Sequence, residues 1–262
     1  GDERVFSFVL AELMTGMKKK ISNSQVAEGL RPQEWSNSIW ALATSGISGP
    51  EEELLPFVAE LMDQYPDFVK EFKPQELSNT AWGVATILSK QSKQSTQQQQ
   101  QQPEEGPVSN AALRIFRHVA KEMIARNGEG YKSQEVTNTV WAFATLGFGL
   151  PGAASARFLS ENRNSDYTFL KSDDEAGDKQ LMESAVSVII ETTLKKQIRY
   201  FRSQELNNMA WSLNRLDQRD DRLLTAIGKE LSNTKRHVTS QDIGTTLWSL
   251  ASIEFFDEDI FR

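Results

Sequence analysis

QELSNTAW, Gln75 to Trp82, is one of five versions of a single stretch; the others are QEWSNSIW (Gln33 to Trp40), QEVTNTVW (Gln134 to Trp141), QELNNMAW (Gln204 to Trp211) and QDIGTTLW (Gln241 to Trp248). Each runs Gln, an acid, two residues, a polar residue that is usually Asn, two more residues and Trp. Five of the six Trp residues fall at its last position. Recurrence of this kind marks a repeat architecture, in which each unit buries its apolar face only by stacking on its neighbours.

A second stretch with helical periodicity precedes each copy: Glu3 to Lys20, Glu51 to Tyr65, Val108 to Asn127, Lys179 to Phe201 and Arg219 to Ser232. In Leu54, Phe57, Val58, Leu61 and Met62 the apolar residues recur at intervals of three and four, as an amphipathic helix requires. The pattern predicts an all-α fold, an α-solenoid of about five helix-turn-helix repeats wound as a right-handed superhelix. The repeats cover approximately residues 3–46, 51–88, 108–148, 179–217 and 219–256.

Successive motif Gln residues lie 42, 59, 70 and 37 positions apart, so the shortest unit approximates the bare repeat and the others carry inserts. Residues 89–107 hold six consecutive Gln (Gln97 to Gln102) and are predicted to be disordered, because such a tract buries too little apolar surface to order itself. Residues 149–178, with SENRNSD and SDDEAGD, are predicted to form a second flexible insert. The chain opens on Gly1, and Glu258 to Arg262 could begin another first helix. The expectation is therefore a cut array whose targeting segment, if any, is missing.

With 36 acidic and 29 basic residues the net charge is −7, which argues against indiscriminate polyanion binding and requires any nucleic-acid site to be patterned. The absence of Cys removes disulfides, thiolate metal sites and Cys nucleophiles. No apolar run approaches the roughly eighteen residues of a membrane span. There is no Gly-rich phosphate loop and no metal-ligand spacing, and His118 and His237 read as ordinary surface residues. No enzyme activity, cofactor or metal is expected.

Number the motif from its Gln as position 1 and turn about 100° per residue. Positions 3, 7 and 10 (Leu77, Ala81 and Val84 in the second copy) share an apolar face for the partner helix. Trp at position 8 and Ala at position 11 lie to one side of it, implying a second contact face where Ala permits close approach. Trp40, Trp82, Trp141, Trp211 and Trp248 are accordingly read as structural packing between repeats, with base stacking as the alternative. A strip through positions 2, 5, 6, 9 and 12 is small, polar and mostly uncharged, although free solvent would favour Lys and Glu there.

Within that strip Asn37, Ser38, Asn79, Thr80, Asn138, Thr139, Asn208, Met209, Thr245 and Thr246 are the candidate ligand-facing residues. For the Asn side chains a structural ladder to neighbouring backbone is the other reading. Before each helix an apolar residue, a cation and a Pro or Ser recur; the cations are Arg31, Lys73, Lys132 and Arg202, with Thr239 in the fifth copy. A cation here opposes the helix dipole unless something answers it. The answer is either the Glu at position 2 or a phosphate.

SNTAWGVATI and TNTVWAFATLG, within Gln75 to Ile87 and Gln134 to Gly147, resemble the octotricopeptide repeat of organellar proteins in algae and other protists. The resemblance spans nearly the whole chain apart from the inserts and is specific in the motif helix. It implies sequence-selective binding of single-stranded RNA, with about one repeat per nucleotide. It further implies a role in processing, stability or translation of chloroplast or mitochondrial transcripts. The candidate strip would then face bases and the cation row phosphates. The chain departs from the pattern at Thr245 and Gly244 in the fifth copy, and at Met209, Asn214 and Arg215 in the fourth. The rival expectation is a protein-interaction scaffold that holds a peptide in its groove. In either case the chain is expected to be monomeric and free of membrane.

Overall fold

The computed structural model describes residues 3–22, 31–97, 106–150, 170, 172–233 and 238–257, and the ordered elements there are all helical. They are α1 (Glu3–Ser22), α2 (Pro32–Ser45), α3 (Glu51–Gln64), the short α4 (Pro66–Glu71), α5 (Pro74–Gln97), α6 (Pro107–Ala125) and α7 (Ser133–Leu146). After these come α8 (Glu175–Lys195), a 3₁₀ turn (Ile198–Tyr200), α9 (Ser203–Arg215), α10 (Asp221–Leu231) and α11 (Ser240–Ser252). The five motif copies lie in α2, α5, α7, α9 and α11, each at its helix start.

Motif helices pack on one another in chain order, α2 on α5, α5 on α7, α7 on α9 and α9 on α11. The partner helices make a second layer in the same order, α3 on α6, α6 on α8 and α8 on α10. The chain is thus an all-α helical repeat. Within it the backbone of a motif helix comes closer to the partner helix that follows than to the one that precedes it. The apolar face at positions 3, 7 and 10 therefore serves the next repeat as well as its own, and Leu77, Ala81 and Val84 are fully buried.

Helix starts follow the sequence. Phe72, Tyr131 and Phe201, the apolar residues before the cation, are buried together with Leu77, Val136 and Leu206 at position 3, closing the hydrophobic staple. Helix stops depend on position 14. Gly46, Gly147, Asp217 and Glu254 occupy it in four copies, all in the left-handed region with φ of 74°, 61°, 54° and 56°. Around three of them the backbone closes the same pair of hydrogen bonds: Phe148, Gln218 and Phe255 N–H donate to the Phe143, Leu213 and Leu250 carbonyls at 2.9 Å, and Gly147, Asp217 and Glu254 N–H to the Ala144, Asn214 and Ala251 carbonyls at 3.3, 3.2 and 3.1 Å.

In the second copy position 14 is Leu88, which resists a left-handed backbone, and α5 runs on to Gln97. The start of the expected 89–107 insert is consequently helix, and it packs. Lys90 Nζ donates to the Ala43 carbonyl at 2.6 Å and Gln91 Nε2 to Glu51 Oε1 at 2.6 Å. Residues 98–105 lie outside the described residues.

The second insert is also corrected at its end. Leu170 is buried and its N–H donates to the Leu146 carbonyl at 2.9 Å. Asp178, itself buried, accepts Arg117 Nε at 2.7 Å, and Asp173 accepts the same guanidinium at 2.7 Å, tying α6 to α8. Residues 151–169 lie outside the described residues, as does His237.

His118 is not an ordinary surface residue. Its side chain is 16% exposed, and its Nε2 stands 2.6 Å from Asp63, whose other oxygen accepts Arg114 Nε at 2.6 Å. This bond joins α3 to α6. Burial alone would raise the Asp63 pKa, but the hydrogen bonds and charge of His118 and Arg114 outweigh it and hold the carboxyl below its usual range.

Because L-residues other than Gly occupy the left-handed region at a cost, Asp217→Gly and Glu254→Gly should each raise unfolding free energy by about 0.5–1 kcal/mol in denaturant titrations. Asp63 supplies stability that is complete above its unfolded pKa of about 3.9 and is lost as pH falls below it. Asp63→Asn should therefore lower Tm near neutral pH and flatten the further loss in acid.

Candidate functional site

The seam between motif helices fixes which residues can face outward. Across α9 and α11, Thr246 Oγ1 at position 6 donates to Asn207 Oδ1 at position 4, at 3.2 Å. Across α2 and α5, a Cβ on Gly83 at position 9 would come within 2.7 Å of the Ile39 side chain at position 7. Across α7 and α9, Arg215 Nε at position 12 donates to the Ala144 carbonyl at position 11, at 2.9 Å. Positions 4, 7 and 11 of one helix thus meet 6, 9 and 12 of the next.

This register corrects the expected strip. Thr80, Thr139, Met209 and Thr246 at position 6 are buried in the seam, and only Ser38, in the first copy, is partly open. The Thr139 hydroxyl donates to its own helix, to the Glu135 carbonyl at 2.8 Å, and the Ser38 hydroxyl does the same to Glu34. A ligand cannot reach the four buried side chains. The departure at Arg215 has a structural reason in its bond to Ala144.

Position 5 remains open. Asn37 is exposed, and Asn79, Asn138, Asn208 and Thr245 are partly exposed. None of the four Asn amides makes a hydrogen bond among the described residues, so the amide ladder expected as one alternative does not form there. The cross-helix bond belongs to Asn207, one position earlier. Gln33, Gln75, Gln134, Gln204 and Gln241 at position 1 are all exposed.

Trp shares this face, since positions 1, 5 and 8 lie within about 60° of one another on a helix. Trp40 and Trp248 are 48% and 47% exposed, and Trp82, Trp141 and Trp211 are partly buried against the core. The fully buried Trp is the sixth, Trp35, at position 3 and 5.5 Å from the Phe57 ring. Sequence reading separated Trp from Asn and omitted Gln; the three-and-four spacing from 1 to 5 to 8 carried the signal.

At the start of the same helices the acid of position 2 turns inward. Glu76, Glu135 and Glu205 are buried, and each accepts the backbone N–H of the preceding cation, Lys73, Lys132 or Arg202, at 2.8 Å. Asp242 does the same for Thr239 at 3.0 Å. The acid therefore caps the helix and leaves the cation's charge unanswered. Arg31, Lys73, Lys132 and Arg202 are exposed, and no described acid pairs with their side chains.

Five arginines outside the row, Arg114, Arg117, Arg126, Arg219 and Arg222, each hold a carboxylate. Among the described residues no three His, Asp or Glu converge for a metal ion, and no helix is long and apolar enough to cross a membrane. Comparison with protein-family models, curated proteins and solved structures returns no match of any of the three kinds.

Tryptophan emission should divide by position. Trp40→Phe or Trp248→Phe should reduce the acrylamide-quenchable fraction, whereas Trp35→Phe should leave it unchanged and lower stability by about 1–3 kcal/mol through lost packing.

Proposed function

We propose that the chain binds single-stranded RNA along the motif-helix face, one repeat to about one nucleotide. The observation that carries this reading is the sorting of charge. In a protein of net charge −7, the acids next to the cation row are turned into the helix starts in the inner copies. Four unmatched cations remain at one end of the motif helices. A phosphate backbone following that row would lie beside the Gln, Asn and Trp stripe.

The chemistry of the stripe suits bases. A free Asn or Gln amide offers both a donor and an acceptor to a base edge, which is how one-repeat-per-base proteins discriminate. A half-exposed Trp offers a stacking platform worth about 1–3 kcal/mol per base. The resemblance to octotricopeptide repeats points the same way and suggests organellar transcripts as targets. A peptide scaffold is the rival, and an extended peptide would have no need of an unmatched cation in four successive repeats.

Selection of random RNA pools against the protein should enrich a common motif of about five nucleotides. Affinity should fall with salt at a log–log slope of about −2 to −3, from about −0.7 per phosphate contacted. Lys73→Ala with Lys132→Ala should weaken all sequences alike and reduce the slope by about 1.4, whereas Asn79→Ala or Asn138→Ala should relax the preference at one base. Failure to enrich any sequence at low salt, or a slope of zero, would turn the assignment to a protein partner.

A further inference from the structure

From the cation to position 10, the three inner motif helices α5, α7 and α9 open the same places to solvent. The cation and Gln are exposed, the Pro or Ser between them, Asn and Trp are partly exposed, and every other position is buried. The open places also carry nearly the same residues: Lys or Arg, Pro or Ser, then Gln, Asn and Trp in every copy.

The variation lies inside. Position 4 is Ser78, Thr137 and Asn207, and position 10 is Val84, Phe143 and Leu213, all buried. Stability alone would give the reverse, because a core position is held by volume whereas an exposed residue without a bond is exchanged at little cost. The Gln and Asn amides of these copies bond to nothing among the described residues. Asn is also a poor helix former, which Ala or Lys would improve upon. Nothing within the chain therefore holds Gln and Asn to one identity, and the constraint comes from outside it.

We propose that the inner repeats all read the same nucleotide, so that the target is a homopolymeric run within single-stranded RNA; this rests on the RNA reading above. Where one repeat faces one nucleotide, the base is chosen by the few side chains that the repeat presents. Equal sets choose equal bases. An amide carries both a donor and an acceptor and can pair with an edge of any of the four bases, so the sets fix sameness and the run that binds best names the base. The first copy presents the same set as Arg31, Gln33, Asn37 and Trp40, which lengthens the run to four nucleotides. Thr245 in the fifth copy lacks the amide and ends it.

The test is fluorescence anisotropy of this chain with labelled RNA strands of about twelve nucleotides, one for each single base and one pool of mixed sequence. Lithium buffer disfavours folding of the G strand. One homopolymer should bind at least about tenfold tighter than the pool and than the other three. Asn79→Ala, Asn138→Ala and Asn208→Ala should each reduce that preference by a similar factor, and each should fold, since Ala favours the helix. Lys73→Ala should weaken run and pool alike and leave the preference unchanged. Binding in which the pool or all four homopolymers are equal to the best strand, or a loss of preference confined to one of the three Asn variants, would overturn this proposal and leave the RNA reading standing. Absence of binding to every strand at low salt would overturn both.

Discussion

Contact between consecutive motif helices is the constraint on which the rest of the molecule depends. It brings backbones close enough that Gly83 has no room for a Cβ beside Ile39, and it is lined by Ser36, Ser78, Thr80, Thr137 and Thr139. These residues are poor helix formers, and several of their hydroxyls are buried with no partner, which is a cost that Ala would avoid. Small size at the seam is what the helices gain. Once positions 4, 6, 7, 9 and 11 are committed to neighbours and 3 and 10 to the core, only 1, 5 and 8 face out. The Gln, Asn and Trp stripe is thus a geometric residue of the packing.

The cation row follows from the same helix starts. A cation before a helix opposes the dipole, and the Glu at position 2 relieves the backbone, through its bond to the preceding N–H, without neutralising the side chain. Repeated along helices stacked in order, this leaves positive charge where the protein as a whole is negative. Two arginines of α6 and its C-terminal end are, by contrast, spent on structure. Arg126 donates to the Phe72 and Lys70 carbonyls, and Arg117 bridges to Asp178 and Asp173.

Much of the fold was legible because the motif is long and its apolar positions keep the helical period. The staple at Phe72, Tyr131 and Phe201 was equally legible. The extent of α5 was readable too, from Leu88 standing where other copies have Gly, Asp or Glu, although the Gln-rich composition after it pointed to disorder. What escaped was azimuth. A polar Thr at position 6 looks solvent-facing in a sequence, and nothing local reports that a neighbouring helix covers it. Trp82 reads in the sequence as packing between repeats, with base stacking as the alternative, and it is partly buried against the core while bordering the same open face as Asn79. His118 found its acid, Asp63, on another helix 55 residues away, beyond any local pattern.

The central claim is that a single RNA strand lies across the motif-helix starts. Photo-crosslinking of a 4-thiouridine oligonucleotide, with adducts mapped by mass spectrometry, tests it most directly. Adducts at Gln75, Asn79, Trp82, Gln134, Asn138 and Trp141, or beside Lys73 and Lys132, are the predicted result. Adducts confined to the partner layer of α3, α6 and α8, with none on the motif helices, would contradict it.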